Sequence, residues 1–167
     1  MKISEAELNE EILKELIDLS VEWEKEDSCY GYRSNREEDI RGNRIFLAHE
    51  DGRIAAYLFG HSEESKNQTS IISDGTKCFE IMEIYVRKEY RNQGIGKKLF
   101  SYAEDHIDDA YITLSTATKN WKAILHFYID ETDMTFHSAR LFKKIKKTAY
   151  RSDTPFSFYD LDLVIAA

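Results

Sequence analysis

The chain has 167 residues, of which 42% are hydrophobic and 13% aromatic, which suffices for one domain with a buried core and excludes a disordered polar chain. Its formal net charge of −8 argues against a general nucleic-acid surface. No apolar run is long enough to span a membrane, and the first residues lack the apolar core of a signal peptide. We therefore predict a soluble, cytoplasmic protein that binds neither nucleic acid nor membrane.

The charge is divided unevenly along the chain. Residues 1–80 carry 10 Lys/Arg and 19 Asp/Glu, a balance of −9, whereas residues 81–167 carry 13 and 12, a balance of +1. A basic-leaning half suits a phosphate-rich ligand and an acidic half suits a cationic one. An ordinary solvated surface is the alternative interpretation.

Cysteine and histidine spacing predicts no metal site. Cys29 and Cys78 fit neither a metal nor a redox motif, and the five histidines form no pair at the i, i+4 spacing of a helix.

In the first half of the chain, apolar periodicity and turn residues predict alternating elements. The first elements are a short strand at 2–3 and a helix over 5–19 that is opened by a capping box at 4–7. A second short helix and an irregular loop follow within 22–42. The chain then continues with a hairpin of 45–48 with 54–59 around Asp51–Gly52 and a polar loop over 61–76.

The second half continues the alternation. It predicts a strand over 79–86, a helix that begins at Gly94, a strand over 111–114, a helix over 120–129, and two final strands at Phe136 and 140–145. Strands that alternate with helices predict one mixed α/β domain over residues 1–147. Residues 148–167 remain a tail of unassigned structure.

The most informative stretch is residues 91–98, Arg-Asn-Gln-Gly-Ile-Gly-Lys-Lys, between a predicted strand and a predicted helix. Glycines let a backbone approach a pyrophosphate closely, and the first turn of a helix offers unpaired N–H groups. A glycine-containing turn without a ligand is the alternative. A dinucleotide-binding fingerprint is disfavoured because its third glycine would fall at Leu99.

Residues 91–96 resemble the Arg/Gln-x-x-Gly-x-Gly/Ala signature of the GCN5-related N-acetyltransferases (GNAT), and residues 84–90 are similar to the strand and turn that precede it. The order of elements matches over residues 1–145. The resemblance implies the GNAT acyl-CoA N-acyltransferase fold, an α/β fold with a mixed, mostly antiparallel sheet flanked by helices and splayed near Val86. It also implies an enzyme that moves the acetyl group of acetyl-CoA to an amine.

The same resemblance implies where acetyl-CoA binds. The bulged strand offers backbone groups to the pantetheine arm, and backbone amides from Asn92 to Lys97 hold the pyrophosphate. The predicted cofactor-binding set is Ile84, Tyr85, Val86, Arg91, Asn92, Gln93, Gly94, Ile95, Gly96 and Lys97.

Candidate catalytic residues follow from the resemblance and from the chemistry. Asn120, Ala123, Phe127 and Tyr128 are similar to a downstream family pattern, with one extra residue before Phe127 and with Asp133-Met134 where the family has Gly-Phe. The position implies that Tyr128 is the acid that protonates the departing thiolate, and a core tyrosine is the alternative. Glu83 and Glu80 are the candidate general bases, although a reaction without a base remains open. A backbone contact from Val86 to the thioester carbonyl is implied as well.

The acceptor is predicted to be a small cationic amine, such as a polyamine, an amino sugar or an aminoglycoside. A protein N-terminus or lysine, a longer acyl chain, and a non-catalytic acyl-CoA sensor are the alternatives. Acidic residues around Trp23 are predicted to hold the cation: Glu22, Glu24, Glu26 and Asp27. The aromatic residues Trp23, Tyr30, Tyr32 and Trp121 line the acceptor pocket or pack in the core. Direct transfer is favoured over an acetyl-cysteine on Cys78, and a homodimer is considered.

Overall fold

The computed structural model describes residues 1–66, 71–139, 141 and 143. Within these ranges, five strands form one sheet in chain order. They are β1 (Lys2–Ala6), β2 (Arg44–Glu50), β3 (Arg53–Glu64), β4 (Lys77–Val86) and β5 (Tyr111–Leu114). The first three pairings are antiparallel and the pairing of β4 with β5 is parallel. The predicted mixed, mostly antiparallel sheet is confirmed.

The helices cover both faces of this sheet. They are α1 (Glu10–Lys25), α2 (Glu37–Ile40), α3 (Ile95–His106) and α4 (Trp121–Leu125), with a 3₁₀ turn at Lys88–Tyr90 and a π-helical turn at His126–Glu131. Because side chains alternate along a strand, each face has its own core. Leu13, Leu16 and Leu19 of α1 pack on one face, and Leu99, Phe100 and Ala103 of α3 pack on the other. No helix in the described ranges is both long enough and apolar enough to cross a bilayer.

The first helix begins later than the sequence predicts. Asn9 caps α1 by accepting a hydrogen bond from the Ile12 amide (2.9 Å). The predicted capping box at residues 4–7 is wrong because β1 pairs with β2, with Ala6 opposite Ile45, and therefore stays extended. Strand pairing at this point outweighs a local helix signal. The second short helix is confirmed as α2.

The hairpin around Asp51–Gly52 is confirmed, and both residues have positive φ (51° and 76°). The predicted loop over 61–76 is too long. β3 continues to Glu64 and β4 begins at Lys77, and these ends pair with each other. Backbone pairing extends the strands into polar sequence because it needs no apolar side chains.

The predicted strand at Phe136 is wrong. Residues 133–139 form neither a helix nor a strand. The Met134 amide donates to the Tyr128 carbonyl (2.8 Å), so the chain caps the π-helical turn instead of returning to the sheet. The strand predicted over 140–145 lies largely outside the described residues, as does the tail over 148–167.

A β-bulge in β4 determines which side chains reach the site. Phe59 of β3 pairs with Glu83, and the next residue, Gly60, pairs with Ile81, which leaves Met82 as the extra residue. A Cβ atom at Gly60 would lie 2.1 Å from the Glu80 carbonyl oxygen, so only glycine permits this approach. Because of the bulge, Glu80 and Glu83 share the face that α1 covers, although they are three residues apart.

The sheet splays at the end of β4, as predicted. β5 pairs only with Cys78–Ile81 of β4. In the described part of the chain, β4 therefore has no neighbour on that side from Glu83 to Val86.

Candidate active site

At the splay, two residues of β4 turn their backbone groups away from β3, and of these groups the Val86 carbonyl is already bonded by Arg91 Nε. The Arg87 amide donates to the Ala55 carbonyl (2.9 Å), next to the pair of Ala56 with Val86. In an antiparallel ladder this pattern means that the N–H and C=O groups of Val86 point away from β3. By alternation Ile84 points the same way. Ile84, Tyr85 and Val86 were all predicted to offer backbone groups to the pantetheine arm. Tyr85 differs from this prediction, because the same alternation turns its backbone groups towards β3.

The turn after β4 leads into the N-terminus of α3. Gly94 caps the helix with φ 73°, a left-handed conformation that favours glycine. The first intrahelical hydrogen bond runs from the Lys98 amide to the Gly94 carbonyl (3.1 Å). The amides of Ile95, Gly96 and Lys97 precede it, and such amides form an anion site at a helix N-terminus. The Ile95 side chain is buried in the core, so only its amide is available.

Gly96 brings three elements together at this anion site. A Cβ atom there would lie 3.4 Å from both the Phe127 ring and a Val86 methyl group. The helix N-terminus, the splayed strand and the π-helical turn are therefore neighbours. Lys97, predicted with this set, is exposed at the same end of α3.

Arg91 has a structural role that the sequence did not indicate. Its guanidinium donates to both carboxylate oxygens of Glu26 (2.8 Å each) and its Nε donates to the Val86 carbonyl (2.8 Å). The Tyr85 hydroxyl also donates to Glu26 (3.0 Å). These bonds occupy the Arg91 side chain, which ties the turn to the end of α1. Gln93 similarly donates to the Glu89 carbonyl within the turn (3.0 Å), whereas Asn92 is exposed with φ 59°.

Glu83 is a buried carboxylate held by three side-chain donors. It is 8% exposed. Asn35 Nδ2 donates to Oε1 (2.8 Å), the Tyr32 hydroxyl lies 3.2 Å from Oε2, and the Tyr57 hydroxyl donates to Oε1. Burial raises the pKa of Glu83 to about 7, although the hydrogen bonds from Tyr57, Asn35 and Tyr32 favour the charged form. A carboxyl group in this state can exchange a proton near neutral pH.

The donors around Glu83 come from segments far apart in the chain. Tyr32 is one of the aromatic residues predicted for the acceptor pocket or the core, and its ring packs on Trp23 (centroids 4.3 Å apart). The sequence analysis does not predict Asn35 and Tyr57. Tyr57 sits in a core strand and Asn35 in a polar loop, and no spacing in the sequence links either residue to Glu83. Tyr30 and Trp121, two more of these aromatic residues, are exposed.

Glu80, the other candidate base, lies further along the same face. It pairs across the strands with His61, and one ligand atom from each of His61, Glu63 and Glu80 lies within 4.8 Å of the others. Burial raises the pKa of Glu80, and the nearby Glu63 carboxylate raises it further. This side-chain set could approach a cation, but exposed acidic groups often cluster without one.

An open cavity of about 430 Å³ lies beside Glu83 and is the candidate acceptor site. It is lined by Asn35, Glu38, Asp39, Arg41, Gly42, Asn43, Phe59, His61, Met82 and Glu83. The acidic residues predicted to hold the cation are not among these. Glu26 pairs with Arg91, Asp27 pairs with Lys119 and Glu22 lies 4.0 Å from Arg87. These ion pairs occupy most of the predicted cluster.

Tyr128 lies in the π-helical turn, next to the splay. The Thr132 amide donates to the Phe127 carbonyl (3.1 Å), an i→i+5 bond that accommodates one extra residue in a helix. The Tyr128 ring packs on Phe127 (centroids 5.0 Å apart), and Phe127 lies beside Gly96. Burial raises the pKa of Tyr128, and among the described residues no side chain bonds its hydroxyl.

The splayed sheet and the helix that begins beside the splay agree with the fold that the resemblance implies. The model of the acetyltransferase (GNAT) family matches residues 10–129. The chain therefore belongs to this family, and the predictions of family and fold are confirmed.

Known proteins support this placement. A segment of 64 residues is 33% identical to an uncharacterised N-acetyltransferase in the pepI 3′ region of Lactobacillus delbrueckii subsp. lactis, and it covers 38% of this chain and 35% of that relative. A mutant BH1408 protein from Bacillus halodurans shares the fold with a TM-score of 0.65 and 19% identity, over 87% of this chain and 99% of the other. The aminoglycoside N-acetyltransferase AAC(6′)-Iy, in complex with CoA, shares the fold with a TM-score of 0.57 and 14% identity, over 88% of this chain and 100% of the other. The family match and the names of these similar proteins support the prediction that the chain is an N-acetyltransferase.

Proposed function

We propose that this protein transfers the acetyl group of acetyl-CoA directly to a primary amine of a small cationic acceptor. The observation that carries the proposal is Glu83. It is a buried carboxyl group with a pKa of about 7, it lines an open cavity, and it lies three residues before Val86 at the splay. Proteins that share the fold include enzymes named as aminoglycoside acetyltransferases, which agrees with an acceptor of this kind. A cytoplasmic location is part of the proposal.

The residues at the splay fit acetyl-CoA. The amides of Ile95, Gly96 and Lys97 would hold the pyrophosphate, because they precede the first intrahelical bond of α3. The outward backbone groups of Ile84 would hold the pantetheine arm, and the Val86 N–H would polarise the acyl carbonyl. When bound, acetyl-CoA supplies an acetyl group activated as a thioester.

Two side chains would move the protons. Glu83 Oε2, bonded in the described chain only to Tyr32, accepts a proton from the acceptor ammonium and so frees the amine to react. Tyr128 Oη holds the proton that the departing sulfur requires, because burial keeps the phenol protonated. Glu80 is the alternative base, at the far end of the same face.

A covalent acetyl-cysteine is disfavoured. Cys78 is buried, and Cys29 forms a backbone bridge with Thr118. Burial raises the pKa of both thiols. A protonated thiol is a poor nucleophile.

The test is release of free thiol from acetyl-CoA in the presence of polyamines, aminoglycosides, amino sugars and peptides, each at low and high salt. We expect turnover with a cationic small molecule and a KM for it that rises with salt, because exposed charges are screened within about 10 Å at 0.1 M. Glu83→Gln should remove this turnover. Activity with peptides alone would contradict the small-cation acceptor, and acetyl-CoA binding without any turnover would favour an acyl-CoA sensor.

A further inference from the structure

Asn35 lies beside Glu83 in the open cavity. It belongs to the loop between α1 and α2, its Nδ2 donates to Glu83 Oε1 (2.8 Å), and it lines the same cavity as Glu83. An ionised carboxylate only accepts hydrogen bonds, so the amide nitrogen must face Glu83. The amide oxygen, Oδ1, then remains as an acceptor, and in the described part of the chain no group donates to it.

The loop holds Asn35 firmly in this place. The Asn35 amide donates to Ser20 Oγ (2.9 Å), and Ser20 Oγ donates to the Ile17 carbonyl (2.7 Å). Ser20 is buried in α1. Asn35 therefore connects α1 to Glu83 of β4: its backbone N–H bonds Ser20 and its side-chain amide bonds the Glu83 carboxylate.

We infer that Asn35 positions the acceptor amine and maintains Glu83 in its basic form, which rests on the proposed function. Its Nδ2 stabilises the Glu83 carboxylate, and its Oδ1 accepts one N–H of the incoming ammonium. A second N–H points to Glu83 Oε2, where that N–H bond breaks and an O–H bond forms. Primary amines fit this arrangement, because a primary ammonium has three N–H donors and still has a donor for Oδ1 after it loses one proton.

Two substitutions separate these roles. Asn35→Ala removes both the donor and the acceptor. Asn35→Asp keeps an acceptor oxygen for the amine but replaces the donor to Glu83 with a second carboxylate, and like charges disfavour ionisation of both. Asn9→Ala is the control, since it destabilises the cap of α1 without touching the cavity.

The measurements are the pH dependence of kcat/KM for the acceptor, its KM, and the titration of Glu83 followed by ¹³C NMR of the carboxyl carbon. In the wild type we expect an acid limb near the Glu83 pKa of about 7. Asn35→Ala should move the limb and the titration upward by about one pH unit and raise the acceptor KM about 10-fold. Asn35→Asp should move the limb at least as far, with a smaller change in KM. Asn9→Ala should change neither quantity.

The results separate this inference from the proposed function. An unmoved limb and titration in Asn35→Ala, or an equal movement in Asn9→Ala, would overturn the positioning role. A wild-type protein that acetylates no amine would overturn the proposed function and with it the amine contact. The Glu83 titration would still decide whether Asn35 maintains the base.

Discussion

At the scale of single residues, the Tyr128 hydroxyl has no side-chain partner in the described structure, and burial raises its pKa. A phenol that serves as the acid should matter for turnover and little for binding. We expect Tyr128→Phe to lower kcat by roughly 100- to 10,000-fold at saturating substrates, while the Kd for acetyl-CoA stays nearly constant. Tyr102→Phe is the control, because Tyr102 stacks on His106 within α3. A wild-type kcat in Tyr128→Phe across the pH range would return Tyr128 to a packing role.

Glu83 also makes the stability of the fold depend on pH. Its folded pKa of about 7 lies above its ordinary value of 4.5, so the folded state favours the protonated form. The resulting stability is fully present below about pH 4.5 and is lost as pH rises through 7. The free energy of unfolding of Glu83→Gln minus that of the wild type should therefore increase as pH rises from 5 to 8, by an amount of order 3 kcal/mol. Urea denaturation at each pH measures the difference, and a constant difference would mean that Glu83 titrates normally.

At the scale of elements, the N-terminus of α3 is the predicted pyrophosphate site. Gly96→Glu would place an anion where phosphates approach the amides, and we expect the Kd for acetyl-CoA to rise at least 100-fold. Gly96→Ala is the control for the added Cβ atom, which meets Phe127 and Val86 at 3.4 Å and carries no charge. Calorimetry on variants with wild-type circular dichroism makes the comparison. Equal affinities in the two variants would contradict the phosphate site.

At the scale of the whole molecule, Glu26 joins the acidic first half to the turn after β4. Glu26→Gln should weaken its bonds from Arg91 and Tyr85 and lower the free energy of unfolding by about 1–2 kcal/mol. The Kd for acetyl-CoA should change little, because backbone amides rather than the Arg91 side chain are assigned to the phosphates. Glu24→Gln, exposed on the same helix, is the control. A large loss of affinity in Glu26→Gln alone would show that the turn depends on this ion pair.

Features of the fold that have local causes could be predicted from the amino-acid sequence. Asp51–Gly52 accepts the positive φ of a hairpin turn. The apolar stripe of Leu99 and Ala103 faces the core as its helical spacing predicts. The glycines at 94 and 96 indicated the turn into α3, and the resemblance carried by this turn identified the family. Each signal lies within a few residues of the structure it specifies.

The arrangement of the candidate catalytic centre could not be predicted from the sequence, because it depends on contacts between distant segments. The pKa of Glu83 depends on burial and on Tyr57, Asn35 and Tyr32, which are 26 to 51 residues away in sequence. Contacts between distant segments also determine where α1 starts, because the pairing of β1 with β2 keeps the chain extended up to Ala6 and α1 begins only at Glu10. They likewise determine the environment of Glu26, whose charge is paired with Arg91. Desolvation and ion pairing depend on what surrounds a group in space, and a residue's neighbours in the chain do not specify that environment.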